Sequence, residues 1–253
     1  MSTSFFRRAR IAEQAFADVA NWREVLPRAA LGKAITKIQL RSGSVLTAPS
    51  ETGLWPHFSD VWYHQSYTKF CPIPPDSLVV DVGANVGVFS LFAARFARLV
   101  YALEPASSNY SRLVPNTSRV QKIVPLNCAC AAHDGRGSLD VSGSPDAFSL
   151  MTNPSAGIQE SVEVISLATL FERFRIGRCD YLKLDCEGAE FEIILEADSS
   201  LLNRVQRIVM EYHDHLSNKY SHVDLLERLK ILGFQASSYN PNGTYGMIAA
   251  FRR

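Results

Sequence analysis

Two short segments of this 253-residue chain concentrate side chains capable of chemistry. In Asp180-Tyr181-Leu182-Lys183-Leu184-Asp185-Cys186-Glu187-Gly188-Ala189-Glu190, charged residues crowd around a short apolar run and a turn. A buried strand seldom carries Lys and Asp without partners, because an unpaired buried charge is costly. Asp185 and Glu187 are therefore expected at the strand's C-terminal end, where open α/β sheets bind ligands. A structural salt-bridge cluster is the bland alternative. In the second segment, Glu211-Tyr212-His213-Asp214-His215 emerges from apolar Ile208-Val209-Met210. Alternation along an extended chain puts Glu211, His213 and His215 on a common side. His213 is then a candidate general base near neutral pH, with Glu211 orienting it. Asp185, Glu211 and His213 are alternatively an oxygen-rich set of the kind magnesium takes. No residue is assigned as a metal ligand, and His215 reads equally well as a solvated loop histidine.

A third segment supplies a ligand cradle. Asp81-Val82-Gly83-Ala84-Asn85-Val86-Gly87 lies between a strand and a helix, and its glycines permit a tight turn and close backbone approach. Glu104 closes the next strand, where a carboxylate accepts both ribose hydroxyl protons of an adenosine cofactor. The spacing G-x-x-x-G is not the dinucleotide G-x-G-x-x-G, which holds pyrophosphate at a helix N-terminus. S-adenosylmethionine has no phosphate but carries a sulfonium and an ammonium, for which Asp81 is an expected neighbour. Small residues in Asn127-Cys128-Ala129-Cys130-Ala131 leave room for an adenine ring. The candidate cofactor set is thus Asp81, Gly83, Ala84, Asn85, Gly87, Glu104, Asn127, Ala129 and Asp185.

The elements that must position these residues follow a strand–turn–helix rhythm from residue 77 onward. Leu78–Val80, Leu99–Leu103, Ile123–Leu126, Tyr181–Leu184 and Ile208–Met210 read as buried strands, and Phe89, Phe92, Ala93 and Phe96 as one face of a helix. Such alternation implies a mostly parallel sheet covered on both sides, a Rossmann-like α/β fold. Ser221 and Asp224 form a capping box for the last helix, Gly233 ends it, and Asn240-Pro241-Asn242-Gly243 predicts a closing antiparallel hairpin. Upstream, Phe5, Ala9, Ala12, Phe16 and Val19 share a helical face, Arg41-Ser42-Gly43-Ser44 turns a small hairpin, and the aromatics of residues 54–70, with His57 and Tyr67 among them, read as core packing or as the lining of a pocket beside the catalytic domain. The expected division is an N-terminal extension over 1–75 and a catalytic domain over 76–253.

Composition narrows the function classes. With 47% apolar residues, 26 basic against 25 acidic side chains and a net charge of +1, the chain is ordinary and globular, with no field to gather nucleic acid. Five cysteines without zinc spacing read as reduced thiols. Glu13 and Asp18 interrupt any signal-peptide core, and no run of apolar residues is long enough for a membrane span. A cytoplasmic location is expected, as is a homodimer contact through the extension as a minor alternative to core packing.

The quoted motifs, with Leu103-Glu104-Pro105 and Glu211-Tyr212-His213, resemble the FkbM family of methyltransferases over about residues 55–251. The resemblance implies a class I, S-adenosylmethionine-dependent O-methyltransferase acting on hydroxyls of sugars, glycans or secondary metabolites. It implies Gly83, Asn85, Gly87 and Glu104 as cofactor residues and Asp185, Glu187, Glu211 and His213 at the reaction centre. N-methylation and a catalytically inactive nucleotide-binding module are the alternatives. Ser166-Leu167-Ala168 departs from the family's common Thr-Leu-Asp.

Overall fold

The computed structural model of the protein describes residues 2–49, 53–141, 149–151 and 158–252. The extension contains α1 (Ser2–Asp18), α2 (Trp22–Ala30), the antiparallel pair β1 (Lys37–Gln39) and β2 (Val45–Thr47), and α3 (Trp55–Ser59), which runs into a π-helical turn over Asp60–His64. The sheet domain follows with β3 (Leu78–Val82), α4 (Val88–Ala93), β4 (Leu99–Leu103), α5 (Ser107–Thr117) and β5 (Ile123–Leu126). A smaller sheet then inserts β6 (Ala129–Ala131), β7 (Gly135–Asp140), β8 (Ser149–Met151) and β9 (Gln159–Ser166). The chain returns through α6 (Leu167–Arg173), β10 (Tyr181–Leu184), α7 (Glu190–Leu195), α8 (Ser199–Leu202), β11 (Arg207–His213), α9 (His222–Ile231), β12 (Gln235–Asn242) and β13 (Tyr245–Phe251).

The main sheet has the order β12-β13-β11-β10-β3-β4-β5. Its pairings are parallel from β11 to β5, and β13 runs antiparallel to both β11 and β12. This is the Rossmann-like α/β architecture the motifs imply. Strand alternation sorts the core into two faces. Val79, Tyr181 and Val209 point into one apolar cluster, whereas Val80, Leu182, Leu184, Ile208 and Met210 point into the other. Each fully buried aliphatic side chain contributes on the order of 1.5–3 kcal/mol. The first cluster also holds Val19, Ile38, Phe58 and Trp62, so the extension packs directly on one face of the sheet.

Several local expectations shift. Among the described side chains of α1 Ala15 is buried, as is Val19 just past its end, while Phe16 is half exposed and leans edge-on against Trp22; Phe5 and Ala9 lie outside the described side chains. The helix after β3 is buried all round rather than amphipathic, and Phe96 lies beyond its end at 42% exposure. The closing hairpin forms, but Asn242 pairs with Tyr245, so its two-residue turn is Gly243-Thr244, with Gly243 at φ 64°. The capping box at Ser221 and Asp224 is present. Ser166 caps α6, and Asp134 accepts from Ser166 N (2.6 Å) and Thr169 Oγ1 (2.5 Å), putting a carboxylate at the departure from Thr-Leu-Asp. All five cysteines are free, and among the described residues no helix is long and apolar enough to cross a membrane.

Candidate functional site

Parallel register brings the chemistry together. Asp81 on β3 lies directly beside Lys183 on β10, and both belong to the sheet face that the extension covers. Two residues on, Asp185 continues that face, and Lys183 Nζ stands 3.2 Å from Asp81 Oδ1 and 3.5 Å from Asp185 Oδ2. The same ammonium donates to the carbonyls of Gly83 (2.7 Å) and Val82 (3.2 Å). Burial alone would strip the proton from Lys183, but Asp81 and Asp185 hold its pKa above the ordinary lysine value. Asp81 also accepts from Ser90 Oγ at 2.6 Å.

The adjoining cavity has a volume of about 270 Å3 and lies at the C-terminal ends of the strands, the place open α/β sheets use for ligands. One end is lined by Gly83, Asn85, Glu104, Asn109, Ala129 and Leu139. Glu104 is buried yet faces this space, its carboxylate held by Asn85 N (2.8 Å) and Ala106 N (3.0 Å). Burial pushes its pKa up to about 7 against the opposing pull of these hydrogen bonds. A buried acceptor fixed by backbone donors, beside the Gly83–Asn85 turn and a small-residue strand, fits a ribose diol and an adenine.

The other end is lined by His57, Asp60, Tyr67, Asp185, Glu187 and Glu211. Tyr67 OH donates to Asp185 Oδ2 at 2.7 Å. Burial raises the Asp185 pKa, but Lys183 and the Tyr67 hydrogen bond outweigh it and leave the carboxyl below its ordinary value. Glu211 is pushed up to about 7 by burial and by the charge of Asp185. Beside it, His213 Nε2 lies 3.6 Å from Glu187 and 4.0 Å from Glu211, while Nδ1 lies 3.0 Å from Glu190 Oε1. Burial opposes the imidazolium, yet Glu190, Glu187 and Asp185 raise the His213 pKa to about 9.

The structure sorts the sequence candidates. Gly83, Asn85, Glu104, Ala129, Asp185, Glu187 and Glu211 line the cavity. Asp81 does not: it is wholly buried, and its charge is committed to Lys183 rather than to a ligand. Ala84 is buried with its N–H on the Leu103 carbonyl, and Asn127 ties down the carbonyls of Glu104 and Pro105. Gly87, at φ 92°, makes its close approach to α5, where a Cβ would meet Leu113 Cδ1 at 2.8 Å, and not to a ligand. Gly83 serves packing too, since a Cβ there would stand 1.8 Å from the Asp185 carbonyl oxygen.

His213 is near the reaction end, where fully buried Glu190 helps raise its pKa to about 9 and so favours the imidazolium over the neutral imidazole expected; Glu190 Oε1 accepts from the His213 backbone N–H and stands 3.0 Å from ring Nδ1, so Glu190 rather than Glu211 orients the ring. His215 leaves the strand on a 3₁₀ turn and is exposed. His57 and Tyr67 come from the segment 54–70 read as core packing or as a pocket wall, and both line the cavity, whereas Asp60, Asn109 and Glu190 were missed as site residues. The aromatic density of 54–70 and the charge on Glu190 were visible, but their placement depends on long-range packing.

A family profile described as the methyltransferase FkbM domain matches residues 81–236. The chain belongs to that family. Among relatives of this FkbM protein, the hexuronic acid methyltransferase AglP of Haloferax volcanii is 26% identical over 141 residues, covering 54% of this chain and 56% of its own. The 31-O-demethyl-FK506 methyltransferase FkbM of Streptomyces tacrolimicus is 24% identical over 192 residues, covering 60% and 74%. The AMB antimetabolite synthetase AmbE of Pseudomonas aeruginosa is 27% identical over 182 residues, 56% of this chain but 9% of that much larger protein. This FkbM chain therefore spans about half of AglP and a small part of AmbE.

Proposed function

We propose that the protein is an S-adenosylmethionine-dependent O-methyltransferase acting on a hydroxyl of a sugar, glycan or secondary metabolite. The observation that carries this reading is one cavity joining the backbone-held carboxylate of Glu104 to the carboxylates of Asp185, Glu187 and Glu211. Bound there, S-adenosylmethionine supplies an electrophilic methyl group for in-line displacement by the acceptor oxygen. Glu104 accepts from the ribose hydroxyls, and Asn109, Ala129 and Leu139 enclose the nucleoside end. Asp185, fixed by Tyr67 and Lys183, faces the cofactor's cationic end.

Glu211 is the proton acceptor in this scheme. A carboxylate with a pKa near the working pH is matched to hydroxyl deprotonation, whereas His213 is already protonated. His213, clamped by Glu190, balances the charge of Glu187 and Glu211. Oxygen is favoured over nitrogen because an amine among these carboxylates is held as ammonium, without a lone pair for attack.

Asp185, Glu211 and His213 also bring donor atoms within 4.8 Å of one another, a spacing a divalent ion can bridge. The scheme above uses protein groups alone. A screen with methyl-labelled cofactor against neutral, amino and acidic sugars and hydroxylated metabolites tests the proposal. Label on a product oxygen, with full turnover in chelator, is expected. Label on nitrogen overturns the oxygen assignment, and a loss in chelator restored by magnesium replaces the metal-free scheme.

A further inference from the structure

Part of the acceptor wall comes from residues upstream of the FkbM match. His57 on α3, Asp60 at the start of the π-helical turn and Tyr67 all line the cavity, and all precede residue 81. They reach it because the extension packs on the sheet face that carries Asp185, Glu211 and His213.

The charge at this end is lopsided. Asp60, Asp81, Asp185, Glu187, Glu190 and Glu211 gather here, opposed by Lys183, by His213 and by His64, whose Nδ1 lies 3.6 Å from Asp60 Oδ1. Lys183 is committed to Asp81 and Asp185, and His213 to Glu190. His57 carries at most one positive charge, and the cofactor's sulfonium, ammonium and carboxylate leave one more. With these and one charge on His64 counted, the balance stays negative while Glu211 is ionised. Hydrogen bonding points the same way: ionised carboxylates only accept, so the ligand's polar groups here must donate.

We infer that the acceptor site selects by charge, taking a neutral or amine-bearing polyhydroxylated acceptor and rejecting one that carries a carboxylate or phosphate. This deepens the methyl-transfer reading and rests on it. Vicinal hydroxyls and an ammonium donate to carboxylate oxygens, with the ammonium bond charge-assisted. An acceptor carboxylate meets like charge and finds few donors.

The test uses the full chain saturated with S-adenosylhomocysteine and three isosteric probes: methyl glucoside, methyl glucosaminide and methyl glucuronide. Binding is followed by saturation-transfer NMR near neutral pH. The glucuronide is expected to bind roughly tenfold or more weaker than the glucoside, and the glucosaminide at least as tightly. Salt at about 0.5 M should shrink the difference by screening. Asp60→Asn, at a half-exposed position, should relieve the penalty on the glucuronide; Glu187→Gln is the second variant. Equal or preferred binding of the glucuronide, a difference unmoved by both variants, or no binding of any probe overturns charge selection. Calorimetry with S-adenosylmethionine on the same samples separates the two failures. Absent cofactor binding sinks the methyltransferase reading, whereas normal cofactor binding without discrimination sinks only the inference.

Discussion

Glu104 links burial to cofactor affinity. In the free protein its carboxyl takes up a proton below about pH 7, because burial penalises the charge. Ribose hydroxyls donate to the ionised form, so S-adenosylmethionine affinity should rise with pH toward about 7 and level off above it. Titration calorimetry across that range checks the slope, which Glu104→Gln should abolish. Glu104→Ala should weaken binding by roughly 10- to 100-fold, from a charge-assisted hydrogen bond worth about 1.5–3 kcal/mol. The reaction end predicts a bell-shaped kcat profile. Turnover should rise as Glu211 ionises through about 7 and fall as the His213 cation is lost through about 9. A rate that climbs through about 9 without falling would restore His213 as the base. That Asp185, Glu187, Glu211 and His213 come together was legible because charged residues at the ends of neighbouring apolar strands share one end of the sheet. The raised pKa of His213 was not, since it depends on Glu190, at the start of α7 and 23 residues earlier in the chain, meeting the ring.

The five buried parallel strands were readable from short apolar runs bounded by turn residues. The π-helical turn, α2 and the small sheet over β6 to β9 were not: α2 is nine residues long and interrupted by Pro27, and β6 and β8 are three-residue strands too short to show a period. A second limit applies to the glycines. Their need for space was visible, but whether a ligand or the protein fills that space was not. Gly83→Ala forces a Cβ against the β10 end at positive φ, and should cost about 2 kcal/mol or more, lowering Tm by roughly 4–8 °C. Gly87→Val should destabilise by prising α5 away at Leu113 and Thr117. A normal melting curve for either variant in differential scanning fluorimetry would remove the packing account. The Lys183 pairing is an element property too, since β3–β10 register alone sets Asp81 beside it. Lys183→Met should leave Asp81 uncompensated at about 3–5 kcal/mol, and Asp81→Asn added to it should recover part of that loss in urea titrations.

Across the whole molecule, the extension and the sheet share an apolar cluster that runs from Val19 and Ile38 through Phe58 to Val79 and Val209. Calorimetry should therefore record a single cooperative transition rather than one for each segment. Deleting residues 2–54 should expose part of that cluster and lower Tm, and an unchanged Tm would show the extension to be energetically separate. Sequence periodicity marked where the sheet domain begins, but it carried no information on which sheet face the extension covers, and that choice puts Tyr67 on Asp185.

The place of β10 between β3 and β11 has a consequence for how the protein is made. The partners Asp81 and Lys183 are about 100 residues apart in the chain. At about 5–20 residues per second, translation needs roughly 5–20 s to cross that interval. During that time β3 can pair with β4 on one side, but its other edge is open and Asp81 has no lysine. An unpaired apolar edge is a template for stray strand addition. The nascent chain is thus a client for ribosome-associated holding factors until β10 emerges, and chains stalled before residue 181 should crosslink to such factors while chains extended past β11 should not.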